Sequence, residues 1–480
     1  MTLENSLSLP KQFAIVENAP DLPGQWNKVV LGAWTIVSAE KVPIVKVVAP
    51  SGQVAGYLIG WAISAGMLLE HGDSITVGAI RKWEAELCGR YVFLEQEDEK
   101  TTLTLDAGGL LPVVYHTKKR ILASTPAMMG LISDVEEDVS LIDVFQIPQK
   151  NGWYPFGLTP YLNVARIMPG QIFDMQNWAP QRFWPMQSFG AVELDKKELV
   201  CDIANLVVRN VGAIVGRGSG VAHLTAGYDS RMILAACRPY VDNCQFETVR
   251  RPDQSTELDC FIANAMAEKF ALRHEFLEYT ESSQTEIAEW MGRTSNCVHD
   301  AVTYLGATMS RYDRKCHSIT GTCGEVGRAY YWADPYTELG RINPDMLLAA
   351  MKIPNTQRIR ELAGGWLDSL PVERPSLVWD LAYIEQRLGG WAGPSVYGHD
   401  IEYPTLSPFN SRVIYEKMVS LPEKYRQTNQ FARDYISYLW PELLEFPFNR
   451  AMGLQRLKFF KSEIRDMLPP KVRKFVKSLM

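Results

Sequence analysis

One short segment combines the residue types that a phosphate-binding loop needs. It reads Val221-Ala-His-Leu-Thr-Ala-Gly-Tyr-Asp-Ser-Arg231, an apolar run followed by small residues and a helix start. Such a turn presents backbone N–H groups and a helix N-terminus, which together suit a phosphate group. The hydroxyls of Thr225 and Ser230 can add donors, and Arg231 can add a positive charge. The carboxylate of Asp229 suits Mg²⁺ beside a polyphosphate. An ordinary strand–turn–helix with an Asp or Ser N-cap is the competing interpretation.

A second glycine-containing segment follows about 90 residues later in the chain. It reads His317-Ser-Ile-Thr-Gly-Thr-Cys-Gly-Glu-Val-Gly-Arg328, which by itself also fits a turn between buried elements. The presence of both segments, in this order, favours a nucleotide-phosphate site over two unrelated turns. The chain has no GxxxxGK[ST] motif, so no lysine is placed to withdraw charge from a transferring γ-phosphoryl group. The two segments therefore predict a polyphosphate site that binds through backbone N–H groups.

The elements around these segments alternate between strand and helix. Strands are predicted over 219–224 and 244–249, and helices over 194–215 and 229–236. A further helix is predicted from Thr256-Glu-Leu-Asp259, which matches a capping box. This alternation predicts a parallel sheet that binds ligands at the carboxyl ends of its strands, followed by a mostly helical end.

The chain before residue 190 has a different pattern. Short β-type runs separated by turn signals predict a β-rich first domain with a few helices. The clearest runs cover residues 11–17, 89–95, 101–106, 111–116 and 120–124. We therefore expect two domains, over 1–190 and 191–480.

Composition excludes several classes of protein. The 480 residues are 46% hydrophobic and 22% charged, as in an ordinary globular protein, and the net charge of −6 gives no basic field for nucleic acid. The eight cysteines form no CxxC pair and indicate reduced thiols. With no signal-peptide pattern and no apolar run that spans a bilayer, we expect a cytoplasmic protein. The basic amphipathic tail 471–480 could contact anionic lipid, although a docked or frayed terminal helix is favoured over membrane contact.

The two segments carry a family resemblance. Leu224-Thr-Ala-Gly-Tyr-Asp-Ser-Arg231 resembles the SGGxDS pyrophosphate loop of N-type ATP pyrophosphatases, above all that of the asparagine synthetase family. His317–Arg328 resembles the LSGxGxDExxGGY segment of the same family, with Glu325 at the position of an acid that helps to hold Mg²⁺-pyrophosphate. The chain departs from the family pattern at Thr225, Ala226, Val326, Arg328 and Ala329.

The resemblance implies a parallel α/β domain of the adenine-nucleotide α-hydrolase-like (PP-loop) kind with a helical end, using ATP and Mg²⁺. It implies catalytic roles for Asp229, Glu325 and Arg231, with the two acids holding the metal. The residues that it implies bind the nucleotide are Leu224, Thr225, Ala226, Gly227, Tyr228, Ser230, Thr248, Thr320, Gly321 and Gly324. Asparagine and β-lactam synthetases carry a catalytic lysine after the last helix. Here Arg450, Lys458 and Lys461 lie in that stretch, but each fits a solvated surface charge equally well, so no catalytic lysine is assigned.

The first domain resembles the amidotransferase half of the same family. The resemblance lies in Gly89-Arg-Tyr-Val-Phe93, Asp106-Ala-Gly-Gly-Leu-Leu-Pro112 and Val114-Tyr115, and it implies a β-rich Ntn-hydrolase-like sandwich. Working members have a nucleophilic cysteine directly after the initiator methionine. Position 2 is threonine here, on a leader of roughly ten residues, and no NGE- or HRG-type motif follows. We therefore expect a domain that has lost glutaminase activity and serves as a scaffold.

The resemblance implies an ATP-dependent amide-bond-forming ligase. A carboxylate would be activated as an acyl-adenylate with release of pyrophosphate, and ammonia or an amine would then attack it. Three alternatives remain open at this point. They are a non-catalytic nucleotide-binding scaffold, a cyclase of the lasso-peptide type, and a tailoring enzyme for a surface polysaccharide or other natural product. The expected partners are ATP, the carboxylate substrate and the amine donor, and a homodimer is also left open.

Overall fold

The structure, a computed structural model, describes residues 9–186, 195–299, 301–310, 316–333, 340–372, 374–399 and 404–450. The first stretch forms three short helices, α1 (Ile80–Glu86), α2 (Pro126–Gly130) and α3 (Val139–Phe145). It also forms strands β1 (Phe13–Val16), β2 (Trp26–Leu31), β3 (Trp34–Ala39), β4 (Ile44–Val48), β5 (Val54–Ser64), β6 (Met67–Leu68), β7 (Ser74–Thr76), β8 (Cys88–Glu97), β9 (Lys100–Leu105), β10 (Val114–His116), β11 (Ile121–Ala123), β12 (Gly152–Trp153), β13 (Val164–Arg166), β14 (Gln171–Asp174) and β15 (Ala179–Arg182).

All of these strands except β12 form two mainly antiparallel sheets. One has the order β13-β10-β11-β1-β3-β2, and the other has the order β15-β14-β9-β8-β5-β4-β7 with β6 paired to β5. The alternation of side chains along β8 explains how the layers pack. Val92 and Leu94 belong to the large core that includes residues of both sheets, whereas Tyr91 and Phe93 belong to a separate cluster with Trp83 of α1. The five β-type runs predicted before residue 130 coincide with β1, β8, β9, β10 and β11.

The described part of the chain after residue 194 consists of helices around one parallel sheet. The strands are β16 (Ser219–His223), β17 (Cys244–Arg250), β18 (His274–Glu278), β19 (Val298–His299), β20 (Cys316–Ile319) and β21 (Thr405–Leu406). The α-helices are α4 (Lys196–Val215), α5 (Tyr228–Cys237), α6 (Glu257–Phe270), α7 (Gln284–Arg293), α8 (Gly306–Ser310), α9 (Pro344–Met351), α10 (Gln357–Asp368), α11 (Pro375–Leu381), α12 (Gly393–His399), α13 (Arg412–Val419), α14 (Glu423–Gln427) and α15 (Gln430–Leu439). A π-helix covers Ala382–Ala392, and 3₁₀ helices cover Arg238–Asn243, Ala301–Leu305, Gly324–Arg328 and Pro441–Glu445.

The parallel sheet has the strand order β18-β17-β16-β20-β21. All four neighbouring pairs are parallel. From β16 the chain adds β17 and β18 on one side, and it then returns to place β20 and β21 on the other side. The strand order therefore reverses between β16 and β20, and an open α/β sheet forms its ligand crevice at such a point. The predicted mixed α/β class and parallel sheet are confirmed.

The predicted strands over 219–224 and 244–249 correspond to β16 and β17, and the predicted helices correspond to α4, α5 and α6. The predicted capping box is wrong. Thr256 makes no side-chain cap bond, because its hydroxyl accepts from the N–H of Arg251 at 3.0 Å. Asp259, the other member of the predicted box, accepts instead from the N–H of Ala226.

Buried polar contacts join the two halves of the chain. The amide of Asn410 donates to the carbonyl of Gly89 at 2.6 Å and to the carboxylate of Asp106 at 2.7 Å. Arg182 donates twice to the carboxylate of Glu385, at 2.5 and 2.9 Å. The short strands β12 and β19 also pair across the halves.

Several predictions lie outside the described residues. They concern Thr2 and its leader, the boundary near residue 190, the candidates Lys458 and Lys461, and the basic tail. The division into domains 1–190 and 191–480 therefore stays a prediction. Within the described ranges, no helix combines the length and the apolar character needed to cross a bilayer.

Candidate active site at the sheet switch point

Both predicted loops lie at the reversal of the parallel sheet. The first loop begins at Leu224, directly after β16, and the second begins at Thr320, directly after β20. Because β16 and β20 are adjacent and parallel, their carboxyl ends open on the same crevice. The topology thus brings together two segments that the sequence separates by about 90 residues.

A close approach between Gly321 and Asp229 locks the two loops together. A Cβ atom at Gly321 would lie 2.8 Å from the Cβ of Asp229 and 2.9 Å from its carbonyl carbon and oxygen. These distances are shorter than any real contact, so the second loop needs glycine at this position. The contact fixes the start of α5 against the second loop.

Substituting Gly321 with alanine is expected to lower the free energy of unfolding by about 1–3 kcal/mol, because backbone atoms of Asp229 must move. Urea unfolding followed by circular dichroism measures this loss. Gly365 in α10 is the matched control, since a Cβ there meets nothing within 4 Å. Gly365→Ala should be neutral or stabilising by up to about 1 kcal/mol. Equal stability of the two variants would show that the loops are not locked together at Gly321.

Hydrogen bonds within the first loop hold its turn. The hydroxyls of Thr225 and Ser230 lie 2.7 Å apart, and the N–H of Thr225 donates to the Ser230 hydroxyl at 3.2 Å. The N–H of Gly227 donates to the Thr225 hydroxyl at 3.2 Å. Both hydroxyls, predicted as phosphate donors, are therefore engaged in closing the loop.

Asp259 is a site residue that sequence reasoning missed. Its carboxylate accepts the N–H of Ala226 at 2.8 Å from the start of α6. Burial raises the pKa of this carboxyl group. The spacing of Thr256 and Asp259 matches a capping box, so the sequence predicts a helix-cap role for Asp259 and gives no sign of its contact with the loop.

The N-terminus of α5 faces the crevice. The helix begins at Tyr228, and its N-cap Gly227 has no side chain to cap the first turn. First-turn N–H groups have no intrahelical partners, and the helix dipole places partial positive charge there. This end of α5 can therefore hold an anionic group.

The two predicted metal ligands lie together, with an arginine between them. One nitrogen of Arg328, Nη2, lies 2.7 Å from Oδ2 of Asp229 and 3.7 Å from Oε1 of Glu325. Burial raises the pKa of Asp229 to about 7, Arg328 opposes this rise, and the charge of Glu325 adds to it. Asp229 Oδ1 is buried without a hydrogen-bond partner among the described residues.

Both carboxylate oxygens of Glu325, the second acid, have partners. Glu325 Oε2 accepts the hydroxyl of Tyr383, which the π-helix contributes from the interface with the first half. The ring of Tyr330 lies 4.7 Å from that of Tyr383, and Arg387 stacks over Tyr330 at 5.2 Å. An aromatic surface with one cation thus borders the acids.

This arrangement does not fit a bound Mg²⁺. Magnesium takes six oxygen ligands, of which the protein usually supplies one or two carboxylates, and a guanidinium paired with those carboxylates repels the ion. Three of the four carboxylate oxygens of Asp229 and Glu325 face Arg328 or Tyr383, which leaves Asp229 Oδ1. Among the residues that the structure describes, no group of three histidine, cysteine or acidic side chains could hold a metal. The donor set is that of an ion-pair centre.

Arg231 does not point into the crevice. Its guanidinium is fully buried and donates to the carbonyls of Phe446 at 2.7 Å and Pro447 at 3.1 Å, with a longer bond to Ala226 at 3.3 Å. It also stacks over the ring of Phe448 at 4.0 Å. These contacts are structural, and none of them supports the predicted catalytic role.

The segment held by Arg231 reaches the first loop. The rings of Phe448 and Tyr228 stack with centroids 4.0 Å apart, and the N–H of Asn449 donates to the carbonyl of Ala226 at 3.0 Å. Residues 446–449 therefore bring the end of the described chain to the site. The predicted lysine candidates at 458 and 461 follow a few residues later, outside the described residues.

The remaining predicted nucleotide-binding residues support the loops. The hydroxyl of Thr248 donates to the carbonyl of Leu224 at 2.7 Å and so joins β17 to the first loop. The hydroxyl of Thr320 lies 2.9 Å from that of Thr322 within the second loop. A Cβ at Gly324 would lie 3.5 Å from Asp229 Oδ1. Their direct contact with a nucleotide stays a prediction.

Comparisons with known proteins give little further information. No family model matches the chain, and no curated protein matches it. Among solved structures, the chain is similar to NMN synthetase from Francisella tularensis, with 14% identity and a TM-score of 0.19. The match covers 39% of this chain and 92% of that one. A likeness at this score carries no argument about function, and the resemblance to asparagine synthetases stays a prediction.

Proposed function

We propose that the chain is an ATP-dependent carboxylate–amine ligase that works through an acyl-adenylate. The observation that carries this proposal is the meeting of the uncapped α5 N-terminus with the second glycine loop at the switch point of the parallel sheet. That crevice offers backbone N–H groups and the Arg328 guanidinium to one anionic ligand. A pyrophosphate leaving group has the charge that these donors suit.

The proposed reaction has two steps. A carboxylate oxygen of the substrate attacks the α-phosphorus of ATP, the bond between the α- and β-phosphates breaks, and pyrophosphate leaves. The nitrogen of ammonia or an amine then attacks the acyl carbon, loses a proton and displaces AMP. Donors at α5 and Arg328 would stabilise the charge that builds on pyrophosphate as its bond breaks. We assign no step to Mg²⁺, because Arg328 occupies the acidic pair.

We also propose that the first half is an Ntn-hydrolase-like scaffold without glutaminase activity. The segment that resembles the amidotransferase motif supports this proposal, because its residue Asp106 makes contacts that stabilise the fold. Asp106 is fully buried and accepts N–H groups of Leu110 and Leu111, both at 2.9 Å, together with the amide of Asn410. This carboxylate therefore holds its own turn and the second half of the chain.

Exchange of labelled pyrophosphate into ATP tests the ligase directly. The full chain with ATP, Mg²⁺ and a panel of carboxylic acids should catalyse exchange only when its substrate acid is present. Addition of the amine should then yield AMP and pyrophosphate in equal amounts. Formation of ADP would refute the proposed cleavage between the α- and β-phosphates.

One observation favours a second candidate, a non-catalytic nucleotide-binding scaffold. The Arg328 guanidinium is bound to both acids of the crevice, which closes the centre that resembles a metal site. A scaffold would bind ATP, measured by isothermal titration calorimetry, without exchange or AMP release for any acid in the panel. Exchange with any one acid would exclude it.

A further inference from the structure

We propose that the guanidinium of Arg328 is the resident cation of the Asp229–Glu325 pair, so that phosphate binds here without a divalent cation held by these acids. This inference rests on the proposed function only in assuming that the crevice binds phosphate. It reverses the metal assignment that the sequence suggested. Its basis is the arrangement of charge around a single side chain.

Arg328 is held in place from several sides. Its Nη2 contacts Asp229 at 2.7 Å and Glu325 at 3.7 Å, and its Nη1 lies 3.4 Å from the side-chain oxygen of Asn429. The guanidinium also stacks over the ring of Tyr228 at 5.5 Å. Only 16% of the Arg328 side chain is exposed, so water screens its pairing with the acids weakly. These contacts fix the cation at the start of α5.

The acids have little capacity left for a second cation. One carboxylate oxygen of Glu325 forms an ion pair with Arg328, and the other accepts a hydrogen bond from the hydroxyl of Tyr383. Asp229 Oδ1 is buried and lies near Gly324. A divalent ion on this oxygen would also lie close to the guanidinium, and like charges at such distances repel strongly in a partly buried site.

The position of Arg328 explains why its guanidinium, and not a divalent metal ion, pairs with the two acids. It follows Glu325 by three residues at the end of the 3₁₀ helix Gly324–Arg328, so its side chain lies beside the acid. A neutral side chain at 328 would leave two carboxylates facing each other without compensation. Two adjacent carboxylates are the ligands that divalent cations bind. Removal of the arginine should therefore open the Asp229–Glu325 pair to a divalent cation.

Titration with Mn²⁺, followed by electron paramagnetic resonance, tests this inference on the full chain without nucleotide. The wild-type chain and Asp229→Asn should bind equal amounts of Mn²⁺. Arg328→Met should bind one additional Mn²⁺ per chain, and adding Asp229→Asn to that variant should remove it. Arg433→Met is the matched control, because Arg433 contacts the hydroxyl and ring of Tyr228 and should give wild-type binding when replaced.

Two outcomes would overturn the inference. One is a Mn²⁺ ion on the wild-type chain that Asp229→Asn removes, and the other is a folded Arg328→Met variant that gains no ion. Circular dichroism verifies the fold, and Arg328→Gln replaces the methionine variant if that variant does not fold. Arg328→Lys keeps a cation and should gain no ion.

Calorimetry with inorganic pyrophosphate gives a second reading. In EDTA, Arg328→Met should bind pyrophosphate at least about tenfold more weakly than the wild-type chain, since a charge-assisted hydrogen bond is lost. Added Mn²⁺ should restore this affinity in Arg328→Met. Equal affinities in EDTA would contradict the inference. Failure to release AMP would count against the ligase and leave the Mn²⁺ result unchanged, so the two proposals fail separately.

Discussion

Arg426→Met is expected to lower the free energy of unfolding by about 3–5 kcal/mol, because it removes the counter-charge that is hydrogen-bonded to a buried carboxylate. The two nitrogens of Arg426 donate to the two oxygens of Asp380 at 2.8 and 2.6 Å. The side chains of this pair are only 1% and 2% exposed. Among the described residues, Trp332 Nε1 at 3.0 Å would still donate to Asp380.

Urea denaturation measures this effect, and a surface pair provides its control. Arg360 and Asp345 form an ion pair at 2.9 Å with side chains that are 51% and 63% exposed. Arg360→Met should therefore cost less than about 1 kcal/mol. The double variant Arg426→Met/Asp380→Leu should lose less stability than Arg426→Met, because no uncompensated charge is then buried. Similar losses in Arg426→Met and Arg360→Met would contradict the assignment.

The buried pair also supports the site. Arg426 donates to the carbonyl of Val326, the residue that follows Glu325 in the second loop. The ion pair thus connects α14 and α11 to the 3₁₀ turn that carries Glu325 and Arg328. We infer that it helps to set the position of the acidic pair through this carbonyl.

The sequence was sufficient to locate two strands of the parallel sheet, β16 and β17, and both loops. Buried strands leave continuous apolar runs, and the turns after β16 and β20 are marked by small residues, so local composition carries the signal. The alternation of strands and helices predicted a parallel sheet. Its strand order, which places the two loops side by side, comes from the structure. Each of the inferences from sequence depends on residues that are close in sequence.

The contacts that decide the chemistry are long-range, and the sequence could not predict them. Arg328 and Asp229 are 99 positions apart, and Arg231 and Phe446 are 215 positions apart. Local spacing predicted that Asp259 caps its own helix. Its actual partner, the N–H of Ala226, is 33 positions away and comes within reach only when α6 packs beside the loop. In each case the sequence shows which chemical group is present, but the partner of that group depends on tertiary packing.

Asp229→Asn is expected to lower the kcat of AMP release by about 10- to 100-fold, with a smaller effect on the KM for ATP. Asparagine keeps the size of the side chain and removes the charge that holds Arg328 at 2.7 Å. The guanidinium is then no longer fixed at the start of α5, where charge would build on the leaving pyrophosphate. Steady-state assays with the substrate acid found by exchange measure both constants.

The dependence on Mg²⁺ separates the ion-pair explanation of this loss from a metal-ligand explanation. If Asp229 were a metal ligand, the variant would bind the ion more weakly, and excess Mg²⁺ would restore part of its rate. If Asp229 positions Arg328, additional Mg²⁺ above the amount that saturates ATP should not restore the rate. Asp345→Asn, which removes an exposed charge paired with Arg360, is the matched control and should keep the wild-type rate. A wild-type kcat in Asp229→Asn would remove Asp229 from both explanations, because neither works without its charge.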